Sequence, residues 1–309
     1  MDTLDGETQT LCIAQPLALI SHAYQISNQF ASFLSRLHAE NPSSVERPWR
    51  VCLYSDEVTP ANPLAVDQKK KVQVMYFSLL EFGAAALCRE DLWFLVAQKR
   101  SRDVMKVKGG MAQMFGVVLK QLFLEPAGNL TTGIVLRRPG SEPIRLFAVQ
   151  GPFVQDGGAH KSTWHCKGEG GTKHCLLCKN LFAEKSEIHD EDGSELVTCN
   201  AMKHSDLALA TSAELRYACN RLAAKRHVDD PNTFARRQMA LGFTFTLYNL
   251  LCDPTLNNVV QPREQLMFDW MHCLFVGGVW AVCVNLVLES IRAAGMTKIY
   301  DSLYGYAKL

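Results

Sequence analysis

With 309 residues, 48% of them hydrophobic, the chain has ample apolar content for a real core and is not a disordered polymer. Thirty-two basic residues against 31 acidic ones give a net charge of +1, so bulk charge does not mark a nucleic-acid binder and any such surface must be local. The 11 cysteines are odd in number, are scattered through apolar runs and follow no signal peptide, so a reducing compartment, nuclear or cytoplasmic rather than secreted, is expected.

Residues 1–48 form an N-terminal helical segment. Leu19, Ile20, Ala23, Ile26, Phe30, Phe33 and Leu34 recur at helical spacing, which predicts one amphipathic helix ending in the loop NPSS. Next, RVCLYSDEVTPANPLA reads as a strand stopped by Pro60 and Pro63, with Asp56 at its exit. After the basic turn Lys69, Lys70 and Lys71, VQVMYFSLLEFG and DLWFLVAQKR read as two more strands, so the three make a meander. Met111, Met114, Phe115, Val118, Leu119, Leu122 and Phe123 then lay down the wide apolar stripe of a helix that stops at Pro126 and Gly128. TTGIVLRR and IRLFAVQGPFVQ, separated by the turn PGSEP, are two further β-like runs, and the second delivers Asp156.

The order β-β-β-α-β over residues 49–160 is that of an RNase H-like mixed α/β sheet, in which the first strand and the one after the helix lie side by side. Acids at their ends then share divalent cations. Carboxylates are hard ligands suited to magnesium or manganese, and two such cations activate an attacking oxygen and stabilise a leaving one in phosphodiester chemistry. Asp56 and Asp156 are therefore the candidate catalytic ligands. The plainer alternative for each is a solvated strand-end or turn aspartate.

Residues 161–200 read as a Cys-rich zinc knuckle. Cys166, Cys175 and Cys178 form the pattern C-x8-C-x2-C, interleaved with His160, His165 and His174, while Gly168, Gly170 and Gly171 let the loop turn tightly. Cys175 and Cys178 are the firmest pair, Cys166 is a fair third ligand, and the fourth is left open among His165, Cys199, His204 and a residue distant in sequence. Two ordinary buried thiols are the competing account of a lone C-x2-C.

Residues 201–265 are read as a largely helical insertion. Behind the acidic run SEIHDEDGSE, Thr211 and Glu214 make a capping box for ELRYACNRLAAKR, and Asp230 with Pro231 opens a helix expected to run through Leu251. Arg221, Lys225, Arg226, Arg236 and Arg237 are candidates for tracking a DNA backbone, or simply solvated helix charges. In residues 266–309, Asp269 and His272 share one helical face, as metal ligands or as a mutually oriented pair. The apolar run from Leu274 to Leu288 is shorter than the roughly 20 residues of a membrane span and reads as a buried helix. The end, YGYAKL, has no helix stop and reads as a cut through something longer.

Four of these stretches together carry a resemblance: YSDEVTPANPLA around Asp56, FVQD at Asp156, CKGEGGTKHCLLC from Cys166 to Cys178, and DWMHCLFVGGV from Asp269 to Val279. In this order they resemble the transposases of eukaryotic cut-and-paste elements in the CACTA, Plavaka and related KDZ groups, over roughly residues 50–290. The resemblance implies an RNase H-like core, a DDE triad whose first two acids are matched by Asp56 and Asp156, a C-x2-C after the second acid, and a D-x2-H before the final glutamate. Metal-dependent cleavage and transfer of DNA strands at element ends is the implied activity, with magnesium or manganese at the acids, zinc at the cysteines and DNA as partner. Homo-oligomerisation is left open and no membrane association is expected. Glu289 is the one glutamate after the D-x2-H, and a surface helix end is its preferred reading, so the triad is expected to be incomplete in an inactive fragment or degenerate copy. The alternatives are a non-catalytic zinc-stabilised DNA- or protein-binding relic, and an unrelated scaffold whose cysteines are core.

Overall fold

A computed structural model describes residues 1–59, 70–168, 171–173, 175–179, 208–275, 278–296 and 298–299. Pro60, Pro63, Lys69, Gly170, His174, Cys199, His204 and the acidic run 186–195 lie outside the described residues. The chain divides into two units, Met1–Met267 and Phe268–Leu309.

The first unit is mixed α/β. It opens with two helices, α1 (Pro16–Ile26) and α2 (Asn28–Glu40), where periodicity alone predicted one. Ser27 makes the break: its backbone is extended and its Oγ accepts from the Phe30 N–H at 3.1 Å, so a side chain replaces the helical bond that would have continued α1. Ile20, Tyr24, Phe30, Ala31 and Leu34 are buried, whereas Ile26, at the end of α1, is exposed.

The meander follows as β1 (Trp49–Val58), β2 (Val72–Leu79) and β3 (Phe94–Arg100), with both pairings antiparallel. Helix α3 (Gly110–Phe123) buries every member of its predicted stripe, from Met111 to Phe123. It starts at Gly109, held in the left-handed region at φ 70°, where a Cβ would meet the Tyr248 side chain at 2.4 Å.

The run IRLFAVQGPFVQ divides. A hairpin of β4 (Ile134–Leu136) and β5 (Ile144–Leu146) forms a small sheet of its own, and β6 (Ala148–Gln155) joins the main one. Phe147 is the hinge: its N–H donates to Ser43 Oγ at 3.0 Å and its carbonyl accepts from the Trp49 N–H at 2.9 Å, so both groups leave the hairpin ladder. The main sheet is five-stranded in the order β3-β2-β1-β6-β7, where β7 is the short strand Leu266–Phe268 reached at the end of this unit. β1 and β6 run parallel, so the sheet is mixed.

One face of this sheet carries the core. Phe153 packs between Phe115 of α3, with ring centroids at 6.0 Å, and Trp164 at 5.2 Å, at the end of α4 (Gly157–Trp164). Next come α5 (Ser212–Lys225), with the predicted capping box complete at Thr211 and Glu214, and α6 (Pro231–Leu241), capped by Asp230. α6 stops ten residues before the expected Leu251. Gly242 takes φ 78°, and a Cβ there would come within 2.8 Å of the Lys173 side chain, so the turn and its close packing end the helix together.

The second unit holds α7 (Trp270–Leu274) and α8 (Val279–Ala293). The apolar run is helical as predicted but not buried: of α8 only Leu288 is buried, while Val279, Trp280, Val282, Leu286 and Val287 are exposed. The stretch Trp270–Ala293, 24 residues containing an 18-residue window of mean hydropathy 2.0, is long and apolar enough to cross a membrane by length and composition alone. Core helices of soluble proteins pass the same test.

Candidate functional site at the paired ends of β1 and β6

The parallel register of β1 and β6 pairs Leu53 with Phe153 and Tyr54 with Val154. Two residues further along each chain come Asp56 and Asp156. Asp56 is still within β1, and Asp156, at φ −74° and ψ 174°, keeps the extended backbone of β6. Side chains alternate across a strand, so the two aspartates share the face of Tyr54 and Val154, while Ser55 and Gln155 take the opposite one. Neighbouring strands lie about 4.8 Å apart, a spacing that suits carboxylates on adjacent strands to a shared cation pair.

The network beneath them holds this register. Gln155, fully buried, donates through Nε2 to Ser55 Oγ at 2.7 Å and to Thr163 Oγ1 at 2.9 Å, and its Oε1 accepts from Trp164 Nε1 at 3.2 Å. One amide thus ties β1, β6 and α4 together. Satisfied buried polar groups are costly to break, because each freed donor or acceptor loses water as well as its partner.

Each aspartate is also oriented. Asp56 Oδ1 accepts from the Glu57 N–H at 2.7 Å, and its Oδ2 accepts from the Tyr54 hydroxyl at 3.1 Å. Asp156 is the N-cap of α4, its Oδ1 accepting from the Ala159 N–H, a position that the helix dipole favours for a negative charge. Tyr54 was not singled out from the sequence. Its signal was there in strand alternation, which puts the residue two before Asp56 on the same face.

His160, on α4, is buried below Asp156, with Nε2 3.2 Å from the Met267 carbonyl oxygen. Burial pushes its pKa down to about 4, against the smaller upward pulls of that carbonyl and of Asp156. His165 is the one non-glycine residue with positive φ among the described residues, at 53°; it closes α4, and its Nε2 lies 3.1 Å from the Gly109 carbonyl oxygen. That makes it a bridge between α4 and the start of α3. A cavity of about 710 Å³ adjoins it, lined also by Glu57, Lys71, Arg102 and Met111, but this cavity lies on the helix side of the sheet, away from the two aspartates.

The cysteines come together only in part. Cys175 and Cys178 are in thiol–thiol hydrogen-bond contact, and burial, with that contact, pushes the Cys178 thiol up to about 12. Lys173 lies close to both and to Cys219, and burial lowers its own pKa. Cys166 is buried and bridges through its backbone to Phe243. Among the described residues, no group of three His, Cys, Asp or Glu side chains is arranged to hold a metal. Gly168 turns with φ 58° as expected; Gly171 does not take positive φ, and a Cβ there would instead meet that of Lys167 at 2.5 Å.

Asp269 and His272, in the second unit, hold each other: Asp269 caps α7, and His272 Nδ1 lies 2.7 Å from Asp269 Oδ2. Glu289 is an exposed residue of α8, 3.9 Å from Arg292. Of the basic candidates, Arg237 is not a surface charge. It is buried against an equally buried Asp229 at 2.6 Å, which withdraws it from any phosphate. Arg226 lies over the Phe245 ring at 4.9 Å.

No protein-family model matches the chain, and no curated protein matches it.

His160 generates a pH prediction. The folded chain resists protonation down to about pH 4, whereas an unfolded histidine takes its proton near 6.5, so between these values the unfolded state binds more protons. Stability is therefore at its full value above about pH 6.5 and falls as the pH drops toward 4, by at most about 3 kcal/mol from this group. Urea unfolding at a series of pH values checks this: His160→Gln is expected to flatten the acid limb relative to the parent chain, and equal slopes contradict it.

Proposed function

We propose that this chain carries the RNase H-like core of a DDE-type DNA transposase, resembling the CACTA, Plavaka and KDZ groups, with Asp56 and Asp156 as two acids of its metal site. The observation that carries this reading is the parallel pairing of β1 and β6, which brings the two aspartates to adjacent strand ends on one face. A three-stranded meander, a helix, and then a strand laid parallel against the first is also the arrangement that the reading requires.

The donor set fits a hard cation: two half-buried carboxylates, each fixed by a hydrogen bond. When bound, magnesium or manganese would supply charge stabilisation to an attacking and a leaving phosphodiester oxygen. The chain's own contribution is positional. Tyr54 aims one Asp56 oxygen, the α4 cap aims one Asp156 oxygen, and the Gln155 network keeps the strands from slipping by a residue, which would send one aspartate to the opposite face.

Cys175 and Cys178 are proposed as two ligands of a structural zinc, because adjacent thiols on a C-x2-C turn are the natural half of a tetrahedral site. Burial holds the Cys178 thiol protonated, so zinc binding must displace its proton and zinc affinity falls on acidification. Zinc measured by mass spectrometry on the purified protein is expected at one equivalent, lost in Cys178→Ser. Sub-stoichiometric zinc, with stability unchanged by chelation, would return both cysteines to the core.

Two acids hold a metal pair incompletely, so metal binding rather than strand cleavage is the proper readout for this chain. Titration calorimetry with manganese is expected to show binding that weakens at least about tenfold in both Asp56→Asn and Asp156→Asn, the cost of losing a charged ligand. Binding that is unchanged in either variant sinks the shared site.

A further inference from the structure

The face of the sheet that carries the two aspartates also carries aromatic rings, Tyr54 among them, whose flat surfaces the metal site does not use. Tyr54 of β1 and Tyr76 of β2 are register partners, and Trp93, just before β3, meets the Tyr54 ring edge-on with centroids 6.2 Å apart. All three are half-buried, and with Glu90 they line a cavity of about 440 Å³. The polar tips of Trp93 and Tyr54 are already partnered: Trp93 Nε1 donates to the Leu87 carbonyl at 2.9 Å, and the Tyr54 hydroxyl donates to Asp56. What faces the cavity is ring surface.

We propose that this shelf binds an unpaired nucleobase of a DNA strand whose backbone runs past Asp56 and Asp156. The proposal rests on the reading of those acids as a metal site for a phosphodiester. Charge supports a base rather than a phosphate as the occupant, because the lining residue that is charged at neutral pH is the exposed Glu90, whose carboxylate repels phosphate but accepts hydrogen bonds from an exocyclic amine. Flat aromatic faces stack any base, and the Glu90 acceptor favours one that bears an amino group, such as cytosine, over thymine. The Tyr54 hydroxyl bond to Asp56 links the two subsites, so that a base on the shelf and a phosphate at the acids belong to one strand held in one register. Tyr54 is thus a positioning residue whose ring stacks and whose hydroxyl aims a carboxylate.

The test uses the full chain with magnesium present and a fluorescent oligodeoxycytidine as probe. Stacking on an aromatic side chain is worth about 1–3 kcal/mol per base, so Tyr76→Ala is expected to weaken binding roughly 5- to 150-fold while Tyr76→Phe, which keeps the ring, binds like the parent chain. Photo-cross-linking with 5-iododeoxycytidine, mapped by peptide mass spectrometry, is expected to mark Tyr54, Tyr76 or Trp93, and it does not depend on any variant folding. Cross-links found only elsewhere, or unchanged affinity in a folded Tyr76→Ala, overturn the proposal. If manganese binding proves indifferent to Asp56 and Asp156 while the cross-links persist on the shelf, the transposase reading fails and the base-binding shelf stands.

Discussion

The pairing of β1 with β6 is the constraint on which the first unit depends. Parallel strands need a crossover, and everything between them, from β2 through α3 to the β4–β5 hairpin, is the length of chain that brings β6 back alongside β1. The crossover is anchored at both ends. Trp49 N–H donates to the Phe147 carbonyl where the strands begin, and Gln155 holds Ser55 and Thr163 where they end. Between these anchors Phe153 fills the space against Phe115 and Trp164, so the register is fixed by polar pairing at the ends and by packing in the middle.

This constraint gives the two faces of the sheet different work. Residues facing the helices, such as Phe153 and the hydrogen-bonded Gln155, set where the strands lie. Residues on the other face, Tyr54, Tyr76, Asp56 and Asp156, are half-buried and available for contact. The cavity of about 710 Å³ falls on the helix side, beside the left-handed His165, and so does not mark the aspartates. Concavity and chemistry are separated here because a carboxylate pair at strand ends needs only an open rim.

Much of this was legible in the sequence, and most of the failures share a cause. The α3 stripe could be read because a helix with one apolar side has one periodicity, and the Thr211 capping box because its partners are three residues apart. Breaks set by tertiary contacts could not be read. Phe147 divides a continuous β-like run by bonding to Ser43 and Trp49, and Gly242 ends α6 against Lys173, whereas the Ser27 cap that divides the first helix is a local signal, three residues from Phe30, that the helical periodicity masked. Arg237 looked like a surface charge because its partner Asp229 is eight residues away, on the turn before α6. The exposure of α8 was equally hidden, since composition reports apolarity and not what covers it. Of the candidate site, both aspartates and their strands were legible. Their common face and the aromatic shelf beside it required the register.

The central claim is that Asp56 and Asp156 jointly hold a divalent metal ion. The most direct measurement is anomalous diffraction from crystals of this chain soaked in manganese. The account predicts an anomalous peak within coordination distance of a carboxylate oxygen from each aspartate. A peak bound to only one of them, or manganese found solely elsewhere on the molecule, would contradict it.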